Sequence, residues 1–233
     1  MSLITSLKKI VLGYRSSSDA YIEHLKEIGV SVGENVEIFK PFNTTIDVQN
    51  PHLLTIGNDV QITGPVTILT HDYSWSVLKR KYGYIYGNQR STSIGNNVFI
   101  GWGATILGGS KIGNNVIIGA NSVISGIVDS DSVYAGNPAK KLMSLEEFRN
   151  KRERNQLLEA KQYVIKYKER FKIIPPEKEL DEYFFLFSDG KNLPIEFTRK
   201  LKLMRNYKMS KNKLIECKPK FKNYKEFIDW CLK

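Results

Sequence analysis

The 233-residue sequence predicts a mainly β fold, a parallel β-helix preceded by a short helix and followed by an α-helical extension. Three observations carry this. Isoleucine recurs every six residues through the middle of the chain. Gly and Asn follow the isoleucines, where a chain must turn. The period ends after Ile124, and beyond Ser144 apolar residues recur at helical spacing instead.

The clearest run is Ile94, Ile100, Ile106, Ile112, Ile118 and Ile124, and four of the first five are followed by glycine. A small residue or Val sits four places after each isoleucine. Neither an amphipathic helix nor an alternating strand has a period of six. Six residues fit one short strand plus one corner, and three such faces make a coil of about 18 residues whose interior is covered only by its neighbours. The same phase appears at Ile56, Ile62 and Ile68, and at Val32 and Ile38. Ile38 to Ile56 spans three blocks if Thr44 and Asn50 hold the intervening places. Ile68 to Ile94 does not fit the period, so an excursion, residues 71–93, leaves the repeat. After Ile124 the chain leaves the period, with Asp129-Ser130-Asp131-Ser132 reading as a turn.

The flanks read as helices. Ser18 to Ile28 shows Ser18 as a cap, Tyr21, Ile22, Leu25 and Ile28 on one face, and Gly29 as the stop. Ser144 and Glu147 form a capping box. Leu157, Ala160, Val164, Tyr167 and Phe171 follow as an apolar seam, ended by Pro175-Pro176. Tyr183-Phe184-Phe185-Leu186-Phe187 reads as core, and Asn223 opens a last amphipathic helix with Tyr224, Phe227, Ile228 and Cys231. The expected organisation is a helical cap over residues 1–29, the β-helix over 30–143, and the helical extension over 144–233.

Composition narrows the class. Apolar residues make up 41% and charged residues 25%, the balance of a globular domain. The net charge is +11, and residues 144–233 hold most of it, with 23 Lys+Arg against 14 Asp+Glu. Such a face attracts anions: phosphates, nucleotide sugars or lipid headgroups, with peripheral membrane association as one consequence. A solvated helical surface explains the same charge. Cys217 and Cys231 show no metal spacing, and two isolated thiols point to a reducing, cytoplasmic setting. The stretch Met1 to Gly13 is interrupted by Lys8 and Lys9 and does not read as a signal peptide.

The repeat then resembles a known family. Ile-Gly-Asn-Asn-Val-Phe-Ile-Gly-Trp-Gly-Ala-Thr-Ile-Leu (94–107), Ile-Gly-Ala-Asn-Ser-Val-Ile (118–124) and Ala-Gly-Asn-Pro-Ala-Lys (135–140) are similar to hexapeptide-repeat acyltransferases of the maltose/galactoside and xenobiotic acetyltransferase kind. The likeness is greatest to acyltransferases of capsule and O-antigen synthesis. It implies a left-handed coil, homotrimers with sites at subunit boundaries, acetyl-CoA as acyl donor, and no metal.

The resemblance places the general base at His71, where the excursion leaves the coil. Imidazole titrates near neutral pH and can take the proton of a sugar hydroxyl. His24 reads as a surface residue and His52 as a turn residue. Family positions for the cofactor fall at Trp102, Ala120, Ser125, Gly126 and Lys140. Ser125-Gly126 stand where the sugar acetyltransferases have Thr-Lys, so a lysine contact is missing there. The Trp102 N–H is the candidate oxyanion donor. In the excursion, Tyr73, Trp75 and Tyr82 are candidates for stacking on a sugar or nucleotide-sugar acceptor, although packing against a neighbouring subunit explains aromatics equally well. Asp72 is a candidate for orienting His71 or binding a sugar hydroxyl.

The expected function is O-acetylation of a saccharide. N-acetylation of a nucleotide-linked amino sugar uses the same parts. A zinc-dependent carbonic anhydrase of this fold needs three histidine ligands, and the repeat offers two. A nucleic-acid partner is not expected, because no recognised module is present.

Overall fold

The computed structural model describes residues 11–233. Most of the stretch read as lacking signal-peptide character, and the start of the 1–29 cap, lie outside the described residues. The chain divides into two compact units, the first ending at Phe148 and the second spanning Arg149–Lys233.

The first unit is built from short strands that fall in turn into three ladders. The first ladder holds β1 (Ser31–Val32), β4 (Leu54–Ile56), β7 (Thr92–Ile94), β10 (Lys111–Ile112) and β13 (Ile127–Val128). The second holds β2 (Glu37–Ile38), β5 (Val60–Ile62), β8 (Val98–Ile100), β11 (Val116–Ile118) and β14 (Ser132–Gly136). The third holds β3 (Thr45–Ile46), β6 (Thr67–Ile68), β9 (Thr105–Ile106) and β12 (Val123–Ile124). All pairs are parallel except that β15 (Ala139–Ser144) folds back antiparallel on β14. The expected isoleucines stack in register, as in Ile62↔Ile100 and Ile100↔Ile118. They are buried in one core, and the residue two places earlier is buried too, apolar at Val98, Ala104 and Val116 and polar at Thr92, Ser110 and Ser122.

Glycine and asparagine divide the corner work. Asn97 and Asn115 take the left-handed conformation, at φ +53° and +56°. Asn97 Nδ2 donates to Asn115 Oδ1 at 2.9 Å, and Asn115 Nδ2 to Asp131 Oδ1 at 2.9 Å. The glycine two places earlier serves close stacking. A Cβ on Gly95 would lie 2.5 Å from the carbonyl oxygen of Gly113.

Two register readings need correction. Ile38 pairs with Ile62 and Ile46 with Ile68, so the face after Ile38 is centred on Ile46. Ile38 to Ile56 is therefore two faces with extra residues, not three regular blocks through Thr44 and Asn50. The extra residues form 3-10 turns at Pro41–Asn43 and Pro51–Leu53. After Ile124 the chain leaves the period but not the ladders. Lys111 pairs with Ile127 and Val116 with Ser132, because the corner at Ser125-Gly126 is two residues shorter than the one before it at residues 107–110. Gly126, at φ +83°, permits that tight turn.

Helix α1 (Ser18–Glu27) packs Tyr21 and Leu25 into the coil core. Its N-cap is Ser17, whose side chain accepts from the Ala20 N–H. The expected cap, Ser18, instead accepts from the Ile38 N–H at 2.9 Å and pins the helix to β2. The excursion is not irregular throughout: it contains α2 (Trp75–Tyr82), closed by Gly83 at φ +78°.

Helix α3 (Leu145–Phe171) starts with the expected box. The Glu147 N–H donates to Ser144 Oγ at 3.1 Å, and the Ser144 N–H to Glu147 Oε2 at 2.6 Å. The second unit adds α4 (Ile195–Lys202), α5 (Tyr207–Glu216) and α6 (Tyr224–Cys231). Ala160 and Val164 of the seam are buried with Phe184, Phe187, Phe197 and Phe227, whereas Phe171 is exposed. Asn223 caps α6 as expected, accepting from the Glu226 N–H. The short α4 and α5 carried too few periodic residues to be read as helices.

Two outcomes follow. Ile100→Ala, inside the coil, should cost about 2–5 kcal/mol in urea unfolding at fixed protein concentration, and Ile127→Ala on the exposed face less than about 0.5 kcal/mol. Burial pushes the Cys231 thiol up to about 11, while Cys217 is exposed. Ellman's reagent at pH 8 should therefore titrate Cys217 alone in the native chain, and both thiols after unfolding.

Candidate active site

His71 stands where the chain leaves the third ladder. Past Ile68 come Leu69 and the fully buried Thr70, then His71. The excursion is clamped at its base. His71 bridges Gln89, the Arg90 N–H donates to the Thr70 carbonyl at 2.8 Å, and Thr92 Oγ1 donates to the Leu69 carbonyl at 2.7 Å. The histidine therefore sits on a fixed frame although a helical arm follows it.

Asp47 completes the arrangement, one coil earlier at the same corner. Its N–H donates to the Ile68 carbonyl at 2.8 Å, extending the ladder past Ile46. Asp47 Oδ2 accepts from His71 Nδ1 at 2.5 Å, from Thr70 Oγ1 at 2.5 Å and from the Thr70 N–H at 3.0 Å. Oδ1 accepts from the Gln49 N–H at 3.0 Å. The Asp47 side chain is 4% exposed and that of His71 16%, so the acid is enclosed while the ring keeps an open edge. Burial pushes the Asp47 carboxyl up. The Thr70 hydroxyl, the Gln49 and Thr70 N–H groups and the His71 ring together outweigh it and hold the carboxyl below its ordinary value. A carboxylate on Nδ1 selects the tautomer whose lone pair is on Nε2.

Asp47 was not among the residues singled out in the sequence. The regular-block reading put Thr44, not Ile46, on the rung, which hid Asp47 as the residue that follows a rung. The corrected register would have found it, since Asp47 then lies beside Leu69 of the next coil.

Asp72 does not orient His71. Its carboxylate accepts from the Ser74 N–H at 2.9 Å and from Asn88 Nδ2, tying the two arms of the excursion together. Those bonds from Ser74, with help from Arg90 and Asn88, hold its carboxyl below the ordinary value. The Tyr73 ring stands edge-on to His71 at 5.6 Å and Trp75 follows at 5.5 Å, so the three rings His71, Tyr73 and Trp75 form a row. Tyr82 is exposed at the far end of α2, with Lys81 Nζ 5.0 Å from its ring centre. It is not part of that row.

The cofactor candidates form a second line. Trp102 and Ala120 lie at the corner between the second and third ladders on successive coils, and the Asn121 N–H donates to the Trp102 carbonyl at 2.7 Å. Lys140, exposed on β15, pairs with Ala135, whose Cβ a side chain on Gly119 would strike. Trp102, Ala120 and Lys140 thus follow one another along the coil axis. Among the described residues no main-chain acceptor engages the Trp102 N–H. Ser125 and Gly126 lie at the other corner, two coils beyond His71. One chain brings Asp47, His71, Tyr73 and Trp75 together. It places Trp102, Ala120 and Lys140 along a different corner.

His24 stacks on Tyr14 at 4.0 Å and is half-buried, and His52 is exposed in the Pro51–Leu53 turn. Among the described residues no group of three or more His, Cys, Asp or Glu could hold a metal ion, and no helix is long and apolar enough to cross a membrane.

The Asp47 carboxyl gives a signed pH effect. Its lowered value stabilises the fold above about pH 4, the ordinary carboxyl range, and the effect is lost as pH falls through the folded-state value. The difference in melting temperature between the native chain and Asp47→Asn should therefore be largest near pH 7 and shrink toward pH 3.

Comparison with known proteins places the chain. A family described as bacterial transferase hexapeptide (six repeats) matches residues 91–126. Protein CapG of Staphylococcus aureus is 39% identical over 129 residues, covering 55% of this chain and 74% of that protein. A hexapeptide-repeat acetyltransferase of Vibrio cholerae is 19% identical, with a TM-score of 0.44, over 62% of this chain and 94% of that one. A galactoside acetyltransferase in complex with coenzyme A is 25% identical, with a TM-score of 0.40, over 62% and 84%. With its repeat matched by the family and most of CapG's length covered at that identity, the chain belongs to the bacterial hexapeptide-repeat transferases.

Proposed function

We propose that the protein is an acetyl-CoA-dependent O-acetyltransferase acting on a saccharide, a precursor of capsular, O-antigen or other cell-surface polysaccharide, with His71 as general base. The observation that carries the reading is the Asp47–His71 pair, fixed at the mouth of an aromatic arm with one ring edge open. Membership of a transferase family and the motifs of residues 94–140 support it.

In this reading His71 Nε2 takes the proton of an acceptor hydroxyl while Asp47 stabilises the imidazolium that forms. The hydroxyl oxygen attacks the thioester carbonyl carbon. The tetrahedral oxyanion accepts a hydrogen bond from the Trp102 N–H of a neighbouring subunit. Collapse breaks the C–S bond, and the imidazolium returns its proton to the CoA thiolate. Tyr73 and Trp75 offer faces for the sugar ring. Asp72 shapes the arm through Ser74 and Asn88, and Tyr82 stands at its outer end.

Acetyl-CoA fits the second line of residues. An extended pantetheine arm needs an open track along the coil axis, which exposed Trp102, Ala120 and Lys140 supply, with Lys140 at the phosphate end. Ser125 and Gly126 serve the adjoining corner. Because the base and this track occupy different corners, the proposed assembly is a homotrimer of left-handed coils in which each site joins His71 of one subunit to the track of the next. The domain reading is a cap over 1–29, the catalytic coil over 30–143 and the extension over 144–233, acting in the cytoplasm.

The test is thiol release from acetyl-CoA with a panel of sugars and nucleotide amino sugars. His71→Ala should lower kcat/KM by about 10²–10⁴-fold. Asp47→Asn should lower it by up to about 10⁴-fold, by favouring the wrong tautomer, and change the pH profile. Full turnover by His71→Ala would remove it from the mechanism. A product resistant to mild alkali would identify an amide and make the acceptor an amine.

A further inference from the structure

We propose that the C-terminal unit carries a docking site for the anionic headgroups of a phospholipid surface, at the end where α3 and α6 finish. This goes beyond the acetyl-transfer reading and does not depend on it. A cavity of about 560 Å³ lies there, and Lys161, Lys168 and Lys172 line it from the α3 side and Lys233 from beyond α6. Ile165 and Leu232 line it between them.

Four lysines share this lining, and none of them has a carboxylate side chain as partner among the described residues. The one acidic side chain in the lining, Glu169, is engaged by Lys166 at 2.8 Å. Lys161 is held in place with Nζ 4.9 Å from the Trp230 ring centre. Lys172 follows the last helical turn at φ +62°, a conformation costly for a side chain with a Cβ, and it directs the chain away from the helix there. The helix dipole explains basic residues in the final turn of α3. It does not explain Lys161, more than two turns back, or Lys233 on another segment. An unpaired group of lysines around one concavity fits a phosphate-bearing ligand.

The neighbouring residues distinguish the source of that phosphate. Lys172 is flanked by Phe171, Ile173 and Ile174, all exposed, and Lys233 is preceded by exposed Leu232. Large apolar side chains alternating with lysines suit the boundary between headgroups and acyl chains. A free phosphate, or a nucleic acid backbone, would occupy the lysines and leave the aliphatic side chains in water.

The test is sedimentation of the full chain with vesicles of phosphatidylcholine alone or containing phosphatidylglycerol. Binding should require the anionic lipid and fall steeply between about 0.1 M and 1 M salt. Lys168→Ala with Lys172→Ala should lower partitioning by about 25-fold, at about fivefold per lysine. Ile173→Ser with Ile174→Ser should lower it while leaving the salt dependence intact. Unchanged circular dichroism would show that both variants fold. Equal binding to neutral vesicles, no effect of the lysine pair, or saturation by inorganic phosphate or duplex DNA without vesicle binding would each overturn the proposal.

Discussion

One buried core shared by three parallel ladders constrains everything else in the first unit. Each face admits two inward side chains, and each rung must meet the rung above and below it. Ile62, Ile100 and Ile118 show the result, one residue type repeated in register and fully buried. Such a core accepts no insertion on a face, because an added residue would rotate the next side chain outward. It accepts insertions at corners. The irregular segments accordingly fall there: Pro41–Asn43, Pro51–Leu53, the arm between His71 and Gln89, and the shortened turn at Ser125-Gly126.

The candidate site grows from that rule. Two irregular corners stack on one another, and the first hands its acid to the histidine of the second. Asp47 is held by main-chain bonds on the Ile68 side and by both polar groups of Thr70, so the acid is oriented before it touches the ring. An aspartate enclosed this way, and kept ionised by its donors, is a more rigid partner than one on the arm. Asp72 illustrates the contrast, since its bonds are to Ser74 and Asn88 and brace the arm. The Tyr73 ring stands edge-on to His71, and Trp75 extends the row.

Much of this was legible in the order of residues. The six-residue period located the strands, His71 marked the departure from the coil, and the Ser144–Glu147 box marked the start of α3. Where the reading failed, the cause was the same. Periodicity reports faces and is silent about corners, so Ile38 to Ile56 could be divided into three blocks when it holds two longer ones. That hid Asp47, a long-range partner that only the pairing of Ile46 with Ile68 brings near. Ser17 displaced Ser18 as a helix cap because the Ser18 hydroxyl had a tertiary partner in Ile38, which local spacing cannot show. Spacing alone also did not show that His71 and the row of Trp102, Ala120 and Lys140 occupy different corners of one chain, because that follows from which ladder each residue leaves.

The central claim is that Asp47 fixes the His71 ring with a proton on Nδ1 and a lone pair on Nε2. Nitrogen NMR of the imidazole-labelled chain, at a pH where the ring is neutral, tests this most directly. If Asp47 holds the ring, His71 shows the Nδ1–H tautomer and loses it in Asp47→Ala. An Nε2–H tautomer, or a ring signal unaffected by Asp47→Ala, would contradict it.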